Sequence, residues 1–334
     1  MLKTLRTLTL LIVWSHAAAF RGASMHGPTL VNPADFTLGQ SIGTGAFGSV
    51  HHCKVCTDTG TMLCVAKRAK QKDLRAAQCL ESEARLDQIL HEAAPASRHL
   101  APLRGVCKSA GVDYLIWDAC GTRTLHSYLE QPGQLPALGR ALGLIDPHDH
   151  AALAHATLHE LLSSLAVIHK SHVVHRDIKP ENLLVDRQTH GLRLIDLGAA
   201  CELEECEIGP SSVLYAPPEQ ALGQRGEVCE TYDVYSVALV WLQVLLGASR
   251  RQMGSLRPLV EKALFADVEL SAPPRKLSSD LAGGDQEVLS IFTRDEDWGR
   301  AWELLRRMMA RDPHHRITAA EALAAPYHDT WIAP

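Results

Sequence analysis

The fold of this chain is decided by one stretch of sequence, residues 175–182, which reads HRDIKPEN. Asp177 can accept a hydrogen bond from an attacking hydroxyl and act as a general base. Lys179 can neutralise charge on a transferred phosphoryl group, and Asn182 can offer an oxygen to Mg²⁺. His175 is expected to be structural and to pack this loop against the segment at Asp196. The stretch therefore predicts phosphoryl transfer, which depends on positioning and charge neutralisation more than on covalent chemistry.

A second acidic motif, Asp196-Leu197-Gly198, follows fourteen residues after Asn182. An aspartate is a natural hard-oxygen ligand for Mg²⁺ that bridges the phosphates of ATP. Residues 192–195, which are apolar except for Arg193, predict a short strand that delivers this aspartate. The two predicted metal ligands are therefore Asn182 and Asp196.

A glycine-rich stretch lies near the start of the chain, where residues 43–50 read GTGAFGSV. Glycines let backbone N–H groups approach phosphate oxygens without a Cβ clash. The same pattern alone could mark a dinucleotide site, but such a loop should open a helix. Here strand-like residues continue after Val50, so a hairpin over the nucleotide is predicted. The residues expected to contact the nucleotide are Gly43, Gly45, Phe47, Gly48 and Val50.

A lysine ends an apolar run at Val65-Ala66-Lys67, nineteen residues after Gly48. A lone lysine there would usually be an edge residue with its ammonium in solvent. In this position Lys67 is well placed to reach the α- and β-phosphates, with Ala66 beside the nucleotide. A carboxylate must hold the lysine, and Glu83 is preferred over its rival Glu81 within a helix predicted over residues 76–92.

The carboxylate of Glu219, in the sequence Ala-Pro-Pro-Glu, needs a partner if it is buried. Arg316 can supply a bidentate one. This pair is interpreted as structural. Residues 234–246 are almost entirely apolar and predict a buried helix. The prolines and glycines of residues 247–297, Pro258 among them, predict loops and short helices.

These motifs, in this order, resemble the eukaryotic protein-kinase family over roughly residues 35–327. The resemblance implies an α+β, two-lobed fold, with a small β-rich N-lobe (35–117), a larger helical C-lobe (118–327) and ATP between them. It implies ATP and Mg²⁺ as cofactors and catalytic roles for Asp177, Lys179 and Lys67. Residues 114–118 look like the segment joining the lobes, so Trp117 and Asp118 are also expected at the nucleotide.

The sequence also indicates which branch of the kinase family this chain resembles and where it departs from the family pattern. Lys179 within HRDxKxxN is similar to Ser/Thr kinases, so protein serine and threonine hydroxyls are the expected substrates. Leu197 stands where phenylalanine is usual, and Ala238 where glycine is usual. Both changes are small and should not abolish activity. A non-catalytic pseudokinase and a small-molecule kinase are the competing hypotheses. The intact catalytic set argues against the first, and the segment around Glu219 against the second.

A weaker resemblance concerns the biological setting. Residues 94–97, 114–118 and 194–200 are similar to thylakoid kinases that phosphorylate photosystem and antenna proteins. This resemblance implies thylakoid proteins as substrates. Unlike those kinases, this chain has no transmembrane helix expected between its leader and its kinase domain.

The first residues are predicted to be a leader rather than part of the fold. Lys3 and Arg6 precede a short apolar run, residues 8–14, and small residues follow up to Ala19. This is the order of a signal peptide, predicted as residues 1–19. Cleavage would leave Phe20 at the start of an acid-poor transit-like or linker segment, residues 20–34. That arrangement resembles the two-part plastid leaders of algae with secondary plastids. Secretion or the ER lumen is the alternative, and a mitochondrial presequence is a third option.

The segment between Asp196 and Glu219 is expected to regulate activity. Its acidic residues could replace a phosphate as partners for Arg176, or be simply solvated. Ser211 and Ser212 are the predicted phosphosites. Two further residues, Cys201 and Cys206, are either redox-active or ordinary loop thiols. The four acidic residues in question are Glu202, Glu204, Glu205 and Glu207.

Composition excludes several other classes. The net charge of −5 gives no signature of nucleic-acid binding. The nine cysteines in 334 residues do not form a disulfide framework. The single CxxC at Cys53 and Cys56 is weak evidence for zinc. His155 and His159 are four residues apart on a predicted helix and are interpreted as a solvated face. Neither composition nor motifs predict an oligomeric state.

Overall fold

The computed structural model describes residues 29–45, 48–95, 97–206, 213–221, 229–265 and 296–328. They form two compact units. The first comprises the described residues up to Leu80 together with Pro102–Asp118, and the second comprises the described residues of Glu81–Ala101 together with those from Ala119 onward. The predicted leader, most of the following segment, Phe47, and the predicted phosphosites Ser211 and Ser212 lie outside the described residues.

The first unit is built on a five-stranded antiparallel sheet with the strand order β1-β2-β3-β5-β4. The first two strands form the hairpin that the glycine-rich stretch predicted, with Thr44 paired to Ser49. Buried side chains such as Cys53, Cys64 and Ile116 form an apolar cluster against the sheet. The strands are β1 (Phe36–Thr44), β2 (Gly48–Thr57), β3 (Gly60–Ala69), β4 (Leu103–Ser109) and β5 (Val112–Asp118).

Helix α1 (Leu74–Ala93) contains the predicted helix and extends it slightly at both ends. The carboxylate of Asp73 caps its first turn by accepting a hydrogen bond from the Ala76 amide at 3.1 Å. Its buried positions, Glu83, Leu86, Asp87 and Leu90, recur at helical spacing. One face of this helix is therefore buried, and that face includes two carboxylates.

The second unit is mainly helical, with two small strand pairs. Strand β6 (Val173–Val174) pairs with β9 (Cys201–Glu202), and β7 (Leu183–Asp186) pairs with β8 (Gly191–Leu194). The α-helices in the described part of this unit, beyond α1, are α2 (Leu125–Leu129), α3 (Leu135–Ala141), α4 (His150–Lys170), α5 (Pro218–Ala221), α6 (Thr231–Leu246), α7 (Arg250–Phe265), α8 (Glu296–Met308) and α9 (Ala319–Leu323).

Helix α6 lies at the centre of this unit. The apolar run 234–246 is helical as predicted, and the helix begins three residues earlier, at Thr231. All its residues from Thr231 to Leu245 are buried, and it packs against α4. Helix α4 is long and apolar enough to cross a membrane, but most of its apolar window is buried within the fold. The pair α6 and α7 passes the same test together, with a bend of 114° between them.

The structure corrects the interpretation of His155. Its side chain does not lie on a solvated face but is buried, with 8% of its surface exposed. The ring stacks on Tyr327 with a centroid separation of 3.8 Å. Residues near the carboxyl end of the described chain cover this part of α4, which the local sequence around His155 does not reveal.

A second difference concerns Pro258, for which the sequence predicted a region of loops and short helices. It lies inside helix α7, which is 16 residues long. Proline removes one helical N–H donor. Tertiary contacts nevertheless hold the helix in place. Arg257 donates to the carbonyls of Val213 and Leu214, both at 2.8 Å, and pairs with Glu261.

Candidate active site

The loop that carries Asp177 brings its three functional side chains together. Lys179 Nζ lies 2.5 Å from Asp177 Oδ2, and Asn182 Nδ2 donates to the same oxygen at 3.1 Å. Asn182 Nδ2 also donates to the Asp177 backbone carbonyl at 2.9 Å. The 3₁₀ turn Pro180–Asn182 places Asn182 back beside Asp177. An ammonium, a carboxylate and an amide thus converge as the sequence predicted.

The second carboxylate oxygen of Asp177 is different from the first. Oδ1 is buried, and among the described residues it has no hydrogen-bond partner. A buried acceptor without a partner is costly and calls for an explanation. An incoming hydroxyl group would satisfy it, which is the contact that a general base makes with its substrate.

Asp233, at the start of α6, anchors the loop that carries Asp177. Its two oxygens accept hydrogen bonds from the backbone amides of His175 and Arg176, each at 2.8 Å, and from His169 Nε2 at 3.1 Å. Burial alone would raise the pKa of Asp233, but the hydrogen bond from His169 and the nearby histidines hold it below its usual value. A buried carboxylate therefore fixes the backbone of the loop that carries Asp177.

The loop is also tied to the segment that carries Asp196. His175 Nε2 lies 3.3 Å from the Ile195 carbonyl, which is the structural role predicted for this histidine. The Ile195 amide donates to the Asn182 carbonyl at 3.0 Å. The two segments that carry the predicted metal ligands, Asn182 and Asp196, are thus joined by backbone hydrogen bonding.

These two residues can supply only part of a metal's coordination shell. Within the described ranges, no group of three or more His, Cys, Asp or Glu side chains is arranged to hold a metal ion. A divalent cation that keeps water and phosphate oxygens among its ligands needs only one or two protein carboxylates or amides. The donors therefore suit a cation that arrives with a nucleotide.

In the first unit, the glycine-rich hairpin has glycines of two kinds. A Cβ on Gly48 would lie 2.1 Å from the Arg68 carbonyl oxygen, so packing within the sheet requires glycine there. At Gly43 and Gly45 a Cβ would meet nothing within 4 Å among the residues that the structure describes. Packing therefore does not explain why these two positions are glycine. Close approach of a ligand to the backbone would explain it.

The strand register places the lysine candidate on a defined part of this sheet. Lys67 on β3 lies opposite Val50 on β2 and Leu115 on β5, so these side chains share a face. Ala66 is fully buried and points to the other face. Lys67 is only partly buried, as a residue that meets a ligand must be.

The remaining nucleotide candidates of this unit lie on β5. Trp117 is partly buried and pairs with Val65 on β3. The carboxylate of Asp118 accepts two hydrogen bonds from Arg104, one of them from Nη2 at 2.7 Å. The Asp118 side chain is thus engaged by this arginine.

The two carboxylate candidates on helix α1 differ sharply in burial. Glu83 is 2% exposed, whereas Glu81 is exposed. Burying a carboxylate is expensive unless a partner compensates it. Burial therefore supports the choice of Glu83.

The predicted structural pair is present. Arg316 Nη1 and Nη2 contact the two oxygens of Glu219 at 2.9 and 3.0 Å, and both residues are buried. Arg316 also donates to the carbonyls of Ala310 and Thr231. This bidentate pair fixes the segment that ends at α5, as the sequence predicted.

Several contacts of the site were not predicted from the sequence. Cys201 and Cys206 are joined by a disulfide, with their Cα atoms 5.4 Å apart. Glu202, between them, pairs with Arg85 on helix α1. Arg176 donates from Nε to the Ala199 carbonyl at 2.7 Å. A charged residue directly between apolar residues in the sequence could have pointed to such contacts. Arg85 and Asp233 both occupy positions of this kind.

Comparison with known proteins agrees with this geometry. Residues 36–328 match the protein kinase domain. The serine/threonine-protein kinase STN7, chloroplastic, of Arabidopsis thaliana is 29% identical over 52% of this chain and 34% of its own length. STN8, chloroplastic, of the same plant is 27% identical over 65% of this chain and 49% of its own length.

A third relative is similar over a larger part of the chain. Calcium-dependent protein kinase 11 of Oryza sativa subsp. japonica is 26% identical over 87% of this chain and 45% of its own length. The chain thus spans between a third and a half of the length of these three relatives. The domain match covers most of the chain and includes the catalytic loop, the glycine-rich hairpin and the Glu219–Arg316 pair. This chain belongs to the protein kinase domain family and has the family's two-lobed fold.

Proposed function

We propose that this chain is a serine/threonine protein kinase that transfers the γ-phosphate of ATP to protein hydroxyls, with Mg²⁺ as the cation. Asp177 orients and deprotonates the attacking hydroxyl, and Lys179 neutralises charge on the transferred group. Asn182 and Asp196 are the residues that would hold the cation, which would supply positive charge to shield the phosphates.

The proposed nucleotide contacts come from the other predicted residues. Lys67 takes the α- and β-phosphates, and Glu83 supplies the carboxylate that the sequence pairs with this lysine. The backbone of the glycine-rich hairpin approaches the phosphates. The remaining proposed contacts are Gly43, Gly45, Phe47, Gly48, Val50, Trp117 and Asp118. Ala66, which the sequence placed beside the nucleotide, is fully buried on the opposite face of β3 from Lys67 and is not among them.

The observation that carries this proposal is the state of Asp177. One carboxylate oxygen is held by Lys179 and Asn182, while Oδ1 is buried and, in the described part of the chain, lacks a partner. Most buried side-chain oxygens in proteins have a hydrogen-bond partner, so an oxygen without one beside Lys179 and Asn182 favours a role in binding a substrate hydroxyl. The relatives named above as serine/threonine kinases support the choice of substrate hydroxyl.

The first prediction tests this assignment. Asp177→Asn replaces the acceptor with an amide that cannot take a proton, so phosphate transfer should fall by at least about a hundredfold. The measurement is transfer of labelled γ-phosphate from Mg-ATP to casein or a basic protein by the purified chain. Asp146→Asn, at an exposed aspartate, is the matched control and should retain full activity.

Wild-type protein that transfers no more phosphate than Asp177→Asn would contradict the proposal. In that case thermal stabilisation by Mg-ATP would distinguish two outcomes. Stabilisation without turnover would indicate a nucleotide-binding pseudokinase, and no stabilisation would argue against nucleotide binding altogether.

We further propose that the protein acts in a plastid, on thylakoid proteins. The support is the leader-like composition of residues 1–19 and the word chloroplastic in the names of two relatives. A fluorescent fusion of residues 1–40 expressed in an algal cell should enter the plastid. Secretion of the fusion or its retention in the ER lumen would support the alternative instead.

A further inference from the structure

The segment after Asp196 carries an ion pair that reaches helix α1. Arg85 Nη1 contacts Glu202 Oε1, and Arg85 Nη2 lies 3.8 Å from Glu205 Oε2. The side chains of Arg85 and Glu202 are 37% and 26% exposed, whereas that of Glu205 is 74% exposed. The shorter contact is therefore also the better shielded one, and Glu202 is the principal partner.

The backbone that presents these two carboxylates is held on several sides. In the β6–β9 pair, Glu202 lies opposite Val173. The Leu203 amide donates to the His172 carbonyl at 2.7 Å. The disulfide between Cys201 and Cys206 closes the loop that contains both glutamates. Glu202 thus projects from a restrained backbone rather than from a freely moving loop.

The apolar side chains of the same loop anchor it from within. Cys206 is buried with Val174 and Tyr232, and Leu203 packs against this cluster. The loop therefore turns its apolar side chains inward, while Glu202 and Glu205 reach Arg85 on α1. Because the backbone at Glu202 is already restrained, forming the ion pair costs less conformational entropy.

On helix α1, Arg85 is two residues beyond the buried Glu83. Two residues correspond to a rotation of about 200° around a helix axis. A contact that holds Arg85 on one side of the helix therefore also sets the direction in which Glu83 points on the other side.

We propose that Arg85 and Glu202 are positioning residues for phosphoryl transfer. Their ion pair joins the Asp196 segment to helix α1 through a built-in carboxylate, where a kinase activation segment commonly uses a phosphate paired with arginine. The pair fixes the rotation of α1 and so the direction of Glu83. This inference rests on the proposed kinase activity, and it predicts activity without phosphorylation of the segment.

The test is a charge swap in the full chain. Arg85→Glu and Glu202→Arg should each lower kcat by about tenfold, because each replaces an attraction with a repulsion. The double swap Arg85→Glu with Glu202→Arg restores opposite charges and should recover kcat to within about threefold of wild type. Arg75→Glu, at an exposed arginine of the same helix, is the control and should leave kcat unchanged.

Two further arms make the test decisive. Wild-type protein treated with a protein phosphatase should keep its activity within about twofold, since no phosphate takes part in the pair. Amide hydrogen exchange over residues 74–93 and 201–206 should quicken in each single variant and return to the wild-type rate in the double swap.

Each outcome either supports the inference or overturns it. Single variants as active as wild type, a double swap no better than the singles, or loss of activity on phosphatase treatment would each overturn it. If wild-type protein transfers no phosphate at all, the proposed function fails, and hydrogen exchange alone decides whether the pair restrains α1. Unchanged exchange in both single variants would then overturn the inference as well.

Discussion

At the scale of single residues, two residues of the proposed site have an unusual backbone conformation. Arg176 and Asp196 both adopt a positive φ, 64° and 67°, which side chains other than glycine rarely do. Such conformations cost of order 1–3 kcal/mol each and persist only where the surroundings fix them. For Arg176, the hydrogen bond that its backbone amide donates to the Asp233 carboxylate supplies that fixation.

Removing this anchor should release the loop. Asp233→Ala leaves the amides of His175 and Arg176 buried without an acceptor, at about 1–3 kcal/mol each. The free energy of unfolding should fall by about 3–5 kcal/mol, and phosphate transfer should fall with it. Chemical denaturation and the kinase assay provide the two measurements.

Two control variants distinguish the loss of the Asp233 anchor from the effect of removing any carboxylate. Asp233→Asn keeps one acceptor oxygen and should lose less stability than Asp233→Ala. Asp113→Ala, whose partner Lys108 lies 3.4 Å away at an exposed site, should change stability by less than about 1 kcal/mol. Equal losses in Asp233→Ala and Asp113→Ala would show that Asp233 does not anchor the loop.

At the scale of elements, the second unit is held by buried polar contacts between helices and loops. Helix α5, four residues long, is tied to the loop after α8 by Glu219 and Arg316. Nearby, the hydroxyl of Tyr215 donates to Gln243 of α6 at 2.7 Å. A helix this short has little stability of its own, so its position depends on these contacts.

Breaking the buried ion pair should therefore be costly. Glu219→Gln leaves the Arg316 guanidinium buried without its anionic partner, and we expect a loss of about 3–5 kcal/mol in the free energy of unfolding. Thermal and chemical denaturation measure this loss. Glu303→Gln, which breaks the exposed pair with Arg306 on α8, should cost less than about 1 kcal/mol. Comparable losses in the two variants would refute a structural role for the buried pair.

At the scale of the whole molecule, the second unit should respond to acid through His155. Burial, followed by the nearby His328, lowers the pKa of His155 to about 4 from its usual 6.5, with Asp149 opposing and His159 adding to the shift. Between these values the unfolded chain binds a proton at His155 that the folded chain does not. Stability therefore falls as the pH drops through 6.5, and the full loss is reached near pH 4.

The expected loss from this one residue is up to about 3 kcal/mol between pH 7 and pH 4. His155→Phe keeps an aromatic ring on Tyr327 but removes the titration, so the difference in unfolding free energy between pH 7 and pH 4.5 should shrink. The exposed His148→Phe should leave that difference unchanged. An undiminished difference in His155→Phe would assign the acid sensitivity to other groups.

Much of the molecule follows from local sequence. The residues from His175 to Asn182, the β1–β2 hairpin after Gly43 and the buried helix α6 were all predictable. Turn chemistry, apolar periodicity and short spacing act between residues close in the chain. The pairing of Glu219 with Arg316 was predictable as well, because a buried carboxylate in a kinase-like order leaves few candidate partners.

Tertiary structure alone decided the contacts that join distant segments. The sequence shows that Glu202 is acidic and Arg85 basic, but 117 residues separate them, and only the fold brings them together. The burial of His155 and the helical setting of Pro258 depend equally on what packs over them. Local propensity is weak compared with such packing. The sequence by itself therefore pointed to the phosphoryl transfer proposed for residues 175–182, because that motif is local. The fold decided how Asp233 anchors that loop and how the Asp196 segment is joined to helix α1, because these contacts join distant segments.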